Sequence, residues 1–102
     1  MNKQKAKNML GLAMRAGKIV SGEELVLREI RQQNVPLVFV ASDASQNTQK
    51  KIKDKGAFYH VTVLDTFTSE EIVQSIGKPR MVVGVVDQGF ARRIKELLLE
   101  EM

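Results

Sequence analysis

The chain has no cysteine, a single histidine and no long apolar run, and each lack removes a class of function. Without thiols there are no disulfides, no cysteine nucleophile and no cysteine-ligated zinc, an inventory that suits a reducing compartment. His60, with no second histidine and no cysteine in the chain, cannot build a histidine-based metal site. It is read as an ordinary side chain in the middle of a half-exposed strand. The longest apolar stretches, LVFVA and MVVGVV, fall far short of the ~20 residues of a spanning helix, so no membrane partner is expected. The glycine-rich phosphate cradles GxxxxGK[ST] and GxGxxG are also missing. The expectation is a non-enzyme with no cofactor, no metal and no small-molecule substrate. The opening MNKQKAKNMLGLAMRAGK is basic, but Gly11 and Arg15 interrupt its apolar part. It reads as a helix of the fold and not as a secretory leader. A cytoplasmic monomer is expected.

What remains suits one folded domain spanning residues 1–102, with 43% hydrophobic residues to build a core. Sixteen basic and twelve acidic side chains give a net charge of +4, unevenly spread. Residues 1–36 carry seven Lys/Arg against three Glu, whereas residues 60–102 carry five basic against seven acidic side chains. A basic front half is one way to face a polyanion. A net charge of this size is also ordinary for a small domain.

The pattern alternates helix and strand. Ala6, Met9, Leu10 and Ala13 fall on one face of a helix over 3–16, which Gly17 stops. A short strand covers Lys18 to Ser21. A helix then uses Val26, Leu27 and Ile30 inward and ends near Asn34, before Pro36. Leu37 to Ala41 and Met81 to Val86 are unbroken apolar runs, as in strands covered on both faces. Asn47 to Lys55 is a lysine-studded helix closed by Gly56, and Phe58 to Leu64 an edge strand. Thr68-Ser69-Glu70-Glu71 opens a helix through Ile76 with a capping box, broken by Gly77-Lys78-Pro79. Asp87 caps a last helix with Phe90, Ala91, Ile94, Leu97 and Leu98 on one side. The order αβαβαβαβα predicts a three-layer α/β/α sandwich around a small four-stranded mixed sheet.

Three polar segments stand where strands meet loops, the usual place for binding groups in such folds. In Ser21-Gly22-Glu23-Glu24, the S-x-x-E spacing predicts a capping box between Ser21 and Glu24. Gly22 is needed if something must approach the backbone closely. Arg28 stands at i+4 from Glu24, placed to pair with it or to face the same partner. The segment Ser42 to Lys55 offers Lys50, Lys51, Lys53 and Lys55, a run that reads first as a solvated face. Lys78-Pro79-Arg80-Met81 sets two cations beside an apolar side chain, a combination able to hold phosphate and pack on an unstacked base. A plain turn explains that spacing equally well.

The stretches KIVSGEELVLREI, VPLVFVASDASQNTQKK and SIGKPRMVVGVVDQGFARRI together resemble, over nearly the whole chain, the ribosomal-protein family of kink-turn RNA binders, most of all its bacterial YlxQ branch. The resemblance implies an α/β/α fold, no catalysis and RNA as the partner, a kink-turn or ribosomal RNA, with ribosome components as further partners. It also implies roles by position. Gly22, Glu23, Glu24, Leu25 and Arg28 would face tandem sheared G·A pairs. Ile76, Gly77, Lys78, Pro79, Arg80 and Met81 would form the loop that closes on a flipped-out nucleotide. Lys18 and Arg15 would flank the site and hold phosphate. The chain departs from the family pattern at two places. Glu24 stands where Asn or Lys is usual, and Leu25, which cannot hydrogen-bond through its side chain, stands where Glu or Gln is usual. Those departures favour the alternative expectation, a protein-interaction or accessory module that keeps the fold without kink-turn specificity.

Overall fold

The computed structural model describes residues 2–99. Five helices, α1 (Lys3–Arg15), α2 (Glu23–Arg31), α3 (Gln46–Phe58), α4 (Ser69–Ile76) and α5 (Gln88–Leu99), alternate with four strands. The strands are β1 (Ile19–Ser21), β2 (Leu37–Val40), β3 (Thr62–Leu64) and β4 (Val82–Val85), in the sheet order β1-β4-β2-β3. β4 runs antiparallel to both β1 and β2, and β2 runs parallel to β3. The sheet is therefore mixed. α1 packs against α4 and α5 in one helical layer, and α2 packs against α3 in the other. This is the expected three-layer sandwich.

Burial follows the apolar runs. Every residue of β2 and β4 is buried, whereas β1 and β3 at the edges are half-exposed. Ala6, Leu10 and Ala13 of α1 are covered, as are Val26, Leu27 and Ile30 of α2 and Ala91, Ile94, Leu97 and Leu98 of α5. Phe39 and Phe67 pack in the core with their rings tilted by 40° and their centroids 5.0 Å apart. The capping box of α4 forms as expected. The Glu71 amide donates to the Thr68 hydroxyl at 3.2 Å, and the Thr68 amide donates back to the Glu71 carboxylate at 3.0 Å. Asp87 likewise accepts from the Phe90 amide at 2.9 Å at the start of α5.

Three local expectations fail. First, Gly56 does not close α3 but lies buried inside it. A Cβ there would collide with the Val63 side chain and sit 3.0 Å from the Val61 carbonyl oxygen, so glycine is present for its small size. Second, Phe58 to His60 are not strand. Phe58 ends α3, and His60 takes a left-handed φ of 59°, while the Val61 amide closes back on the Gly56 carbonyl at 2.8 Å. His60 thus sits in an exposed turn. Third, Ser21 and Glu24 form no capping box. Ser21 is held in β1 opposite Val83, so the first helical position shifts to Glu23, and Gly22 is the cap with no side-chain bond.

The α4 cap ties stability to pH. Its two hydrogen bonds come with an ion pair from Lys3 to Glu71 at 3.0 Å. The Thr68 amide first, then Lys3, hold the Glu71 carboxyl below the usual carboxylate range, against the opposing effect of partial burial. A depressed carboxylate stabilises the fold above its unfolded-state pKa and loses that contribution as pH falls through its folded value. Thr68→Ala is expected to cost about 1 kcal/mol at neutral pH. Glu71→Gln should be less stable than the parent near neutrality, and the gap should close on acidification. Urea denaturation across pH 3–7 checks both.

Candidate nucleic-acid interface

Strand direction gathers the polar loops at one end of the sheet. β1, β2 and β3 all finish there, and β4 begins there. Backbone hydrogen bonds join the loops. The Gly22 amide donates to the Val82 carbonyl at 2.9 Å, Ala41 to Met81 at 2.8 Å and Ser42 to Phe67 at 2.9 Å. Asp43 then accepts from the amide and hydroxyl of Ser69 at 2.8 and 2.6 Å, and this pairing lowers its pKa. The turn after β1 and the loop before β4 are therefore fixed relative to each other.

Gly22 makes the turn. Its φ of 99° lies where side chains are strained, and a Cβ would meet nothing within 4 Å. The requirement is conformational, and space is left open above the backbone. Because Gly22 offers no side chain to cap α2, the amides of Glu23, Glu24 and Leu25 begin the helix without side-chain partners. From this turn an open groove of about 890 Å³ runs along α2 to Arg28 and Arg31. Half-buried Leu25 forms part of its wall. Glu24 and Arg28 line the groove without pairing to each other, so both charges face outward. Arg31 was not anticipated from the sequence, although its i+3 spacing from Arg28 puts it on the same face.

Glu23 has a different job. Its carboxylate accepts from Lys51 at 2.8 Å and from the Thr48 hydroxyl at 3.2 Å, pinning the tip of α2 to α3. The Lys51 hydrogen bond holds its pKa below the usual carboxylate range. The lysine run of α3 is engaged in the same way, with Lys50 on Asp54 at 2.8 Å and Lys53 on Asp65 at 2.9 Å. The sequence reads this run as a solvated face, whereas three of its lysines are ion-paired within the fold.

The loop before β4 presents Lys78 and Pro79 exposed and Met81 at 45% exposure. Arg80 is half-buried and donates to the Pro79 carbonyl at 3.0 Å, stiffening the loop. Pro79, Arg80 and Met81 face Ser69, Glu70 and Val73 of α4 across a slot of about 290 Å³. Gly77 ends α4 in the left-handed conformation and releases the loop. Ile76, however, is 5% exposed and belongs to the core, so its side chain supports the loop from below. Lys18 stands at the other end of β1, where its carbonyl accepts from Val86 at 2.9 Å. Arg15 lines a separate groove between α1 and α4. Neither joins the cluster.

Among the described residues no three His, Cys, Asp or Glu side chains gather as metal ligands. No described helix is long and apolar enough to cross a membrane.

Comparison with known proteins shows the family and the fold. Residues 4–94 match the ribosomal protein L7Ae/L30e/S12e/Gadd45 family. An "RNA-binding protein YlxQ" from Enterococcus faecium is 56% identical over 97 residues, covering 95% of this chain and 94% of that one. Its namesake from Bacillus subtilis (strain 168) is 48% identical over 91 residues, covering 88% and 91%. A solved protein of unknown function from Bacillus halodurans C superimposes with a TM-score of 0.90 at 38% identity, covering 94% of this chain and 98% of that chain. A Giardia lamblia 15.5kD RNA binding protein shares the fold, with a TM-score of 0.81 at 13% identity, covering 94% and 83%. The chain therefore belongs to the ribosomal protein L7Ae/L30e/S12e/Gadd45 family, in the branch that holds its YlxQ relatives.

Proposed function

We propose that the chain is a non-catalytic RNA-binding protein that recognises kink-turn-like RNA with tandem G·A pairs, as part of a cytoplasmic ribonucleoprotein such as the ribosome. The carrying observation is the fixed pairing of the Gly22 turn with the Pro79–Met81 loop through the Gly22–Val82 and Ala41–Met81 hydrogen bonds. Two surfaces held at a set distance can read a bent RNA in one geometry. Relatives at 56% and 48% identity are themselves named RNA-binding proteins.

In this reading the open backbone at Gly22 admits base edges, and the unpartnered amides at the start of α2 donate to bases or phosphate. Arg28 and Arg31 neutralise phosphates along the groove. Glu24 accepts from guanine N–H donors. Glu23 orients the helix through Lys51. The slot beside Met81 takes an unstacked nucleotide, with Val73, Pro79 and Met81 as its apolar walls and Lys78 and Arg80 on the flanking phosphates. Arg15 and Lys18 take no part in this contact.

Leu25 favours a second reading, a protein-interaction module without kink-turn preference, because an apolar side chain holds the place of a hydrogen-bonding one. A titration at physiological salt separates the two. The protein is measured against a kink-turn RNA and against the same RNA with its G·A pairs replaced by Watson–Crick pairs. At least tenfold preference for the first is expected. Arg28→Ala and Arg80→Ala should each weaken binding and reduce the salt slope by about 1. Equal weak binding to both RNAs, unmoved by either substitution, would leave the protein-interaction reading. Leu25→Gln supplies a side-chain hydrogen bond worth about 0.5–1.5 kcal/mol. It should raise the preference for G·A pairs severalfold in the same assay.

A further inference from the structure

The groove between α1 and α4 is left unused by that contact, yet its side chains suit a sugar–phosphate backbone. Gln4, Lys7, Asn8, Leu12 and Arg15 form one stripe of α1, facing Gln74 across an open trough of about 510 Å³. Gly11 lets the two helices approach closely, since a Cβ there would sit 3.0 Å from the Ser75 carbonyl oxygen. No carboxylate lines the trough. Glu71, on the first turn of α4, is already engaged by Thr68 and Lys3. The Lys7 ammonium is held beside the trough by the Gln74 side-chain oxygen at 2.8 Å, and Gln4 donates to Asn8 at 3.0 Å. Arg15 has no ion-pair partner among the described residues. Leu12, 44% exposed, stands among them.

We infer that the α1–α4 trough is a second RNA contact, gripping the backbone of a stem that leaves the kinked element. The inference rests on the RNA-binding reading. Its chemistry is that of a nucleic-acid backbone: cations for phosphate, amides that both donate and accept for ribose 2′-hydroxyls, and one apolar side chain for a ribose face. Eight residues of helix separate Lys7 from Arg15, roughly 12 Å along the axis, enough to span more than one phosphate. Position also agrees. α4 leads directly from Gln74 and Ser75 through Gly77 into the Lys78–Met81 loop, so a strand leaving that loop meets the trough next. The core of a protein contact is poorer in charge and richer in aromatic side chains than this lining of two cations and three amides around Leu12.

The test uses two RNAs, a kink-turn with long stems and the same element trimmed to short ones, and follows binding by fluorescence anisotropy over a salt series. The variants are Lys7→Ala/Arg15→Ala, which removes both cations, and Leu12→Glu, which sets an anion in the trough. On the long RNA the double variant should bind about tenfold more weakly, and its log K against log salt slope should shrink by about 1.5. Leu12→Glu should weaken binding in the same direction. On the trimmed RNA both variants should match the parent. Unchanged affinity on the long RNA, or equal losses on both RNAs, overturns the stem contact while leaving the kink-turn reading intact. A parent protein that binds neither RNA removes both.

Discussion

Gly22 carries two obligations that no other residue type meets together. Its left-handed φ of 99° turns the chain out of β1 and into α2, while its amide stays bonded to the Val82 carbonyl. Remove the first and β1 runs on without reaching the helix. Remove the second and the turn is no longer tied to the start of β4, where the Lys78–Met81 loop ends. β2 sits on the other side of β4 and repeats the tie through Ala41 and Met81. The candidate interface is thus a property of sheet order. β4 lies between β1 and β2, so the loop that precedes it is held beside the turn that follows β1. Backbone geometry fixes the spacing of the two surfaces before any side chain is chosen.

Charge is then distributed by use. Lysines on α3 outnumber those anywhere else on a single helix, but Lys50, Lys51 and Lys53 answer to Asp54, Glu23 and Asp65. The pairs are exposed and each adds little to stability. The Lys51 pair also ties Glu23, which lines the groove, to α3. Among the described residues around the sheet end, Arg28 and Arg31 on one side and Lys78 and Arg80 on the other are left without an ion pair, as are Glu24 and Glu70. An overall charge of +4 says nothing of this arrangement. It emerges only when each ion pair is known.

The parts of the fold that were legible in the sequence are those set by short-range rules. Leu37–Val40 and Val82–Val85 are central strands because their apolar runs demand cover on both faces. Thr68 and Glu71 cap α4 because the spacing suffices for both bonds. The misread parts are those where one residue type has two uses, or where the partner is distant. Glycine stops helices, but Gly56 is needed for its smallness against Val63, which lies on another element. Ser21 has the spacing of a cap, but pairing with Val83 claims it for the sheet. Lys51 reads as solvated because Glu23 lies 28 residues away in sequence. For the site, the family likeness named Gly22, Arg28 and the Lys78–Met81 loop. It could not reveal that Ile76 faces the core, that Lys18 stands at the far end of β1, or that Arg31 shares the groove.

The most direct measurement is a map of backbone amide chemical shifts as a kink-turn RNA is added to the isotope-labelled protein. The account expects the largest changes over residues 22–31, 77–78 and 80–82, with residues 33–35 and 59–62, around the Tyr59 and Pro36 groove at the opposite end of the sheet, left in place. Changes centred on that opposite end, or spread evenly over all exposed lysines, would contradict it.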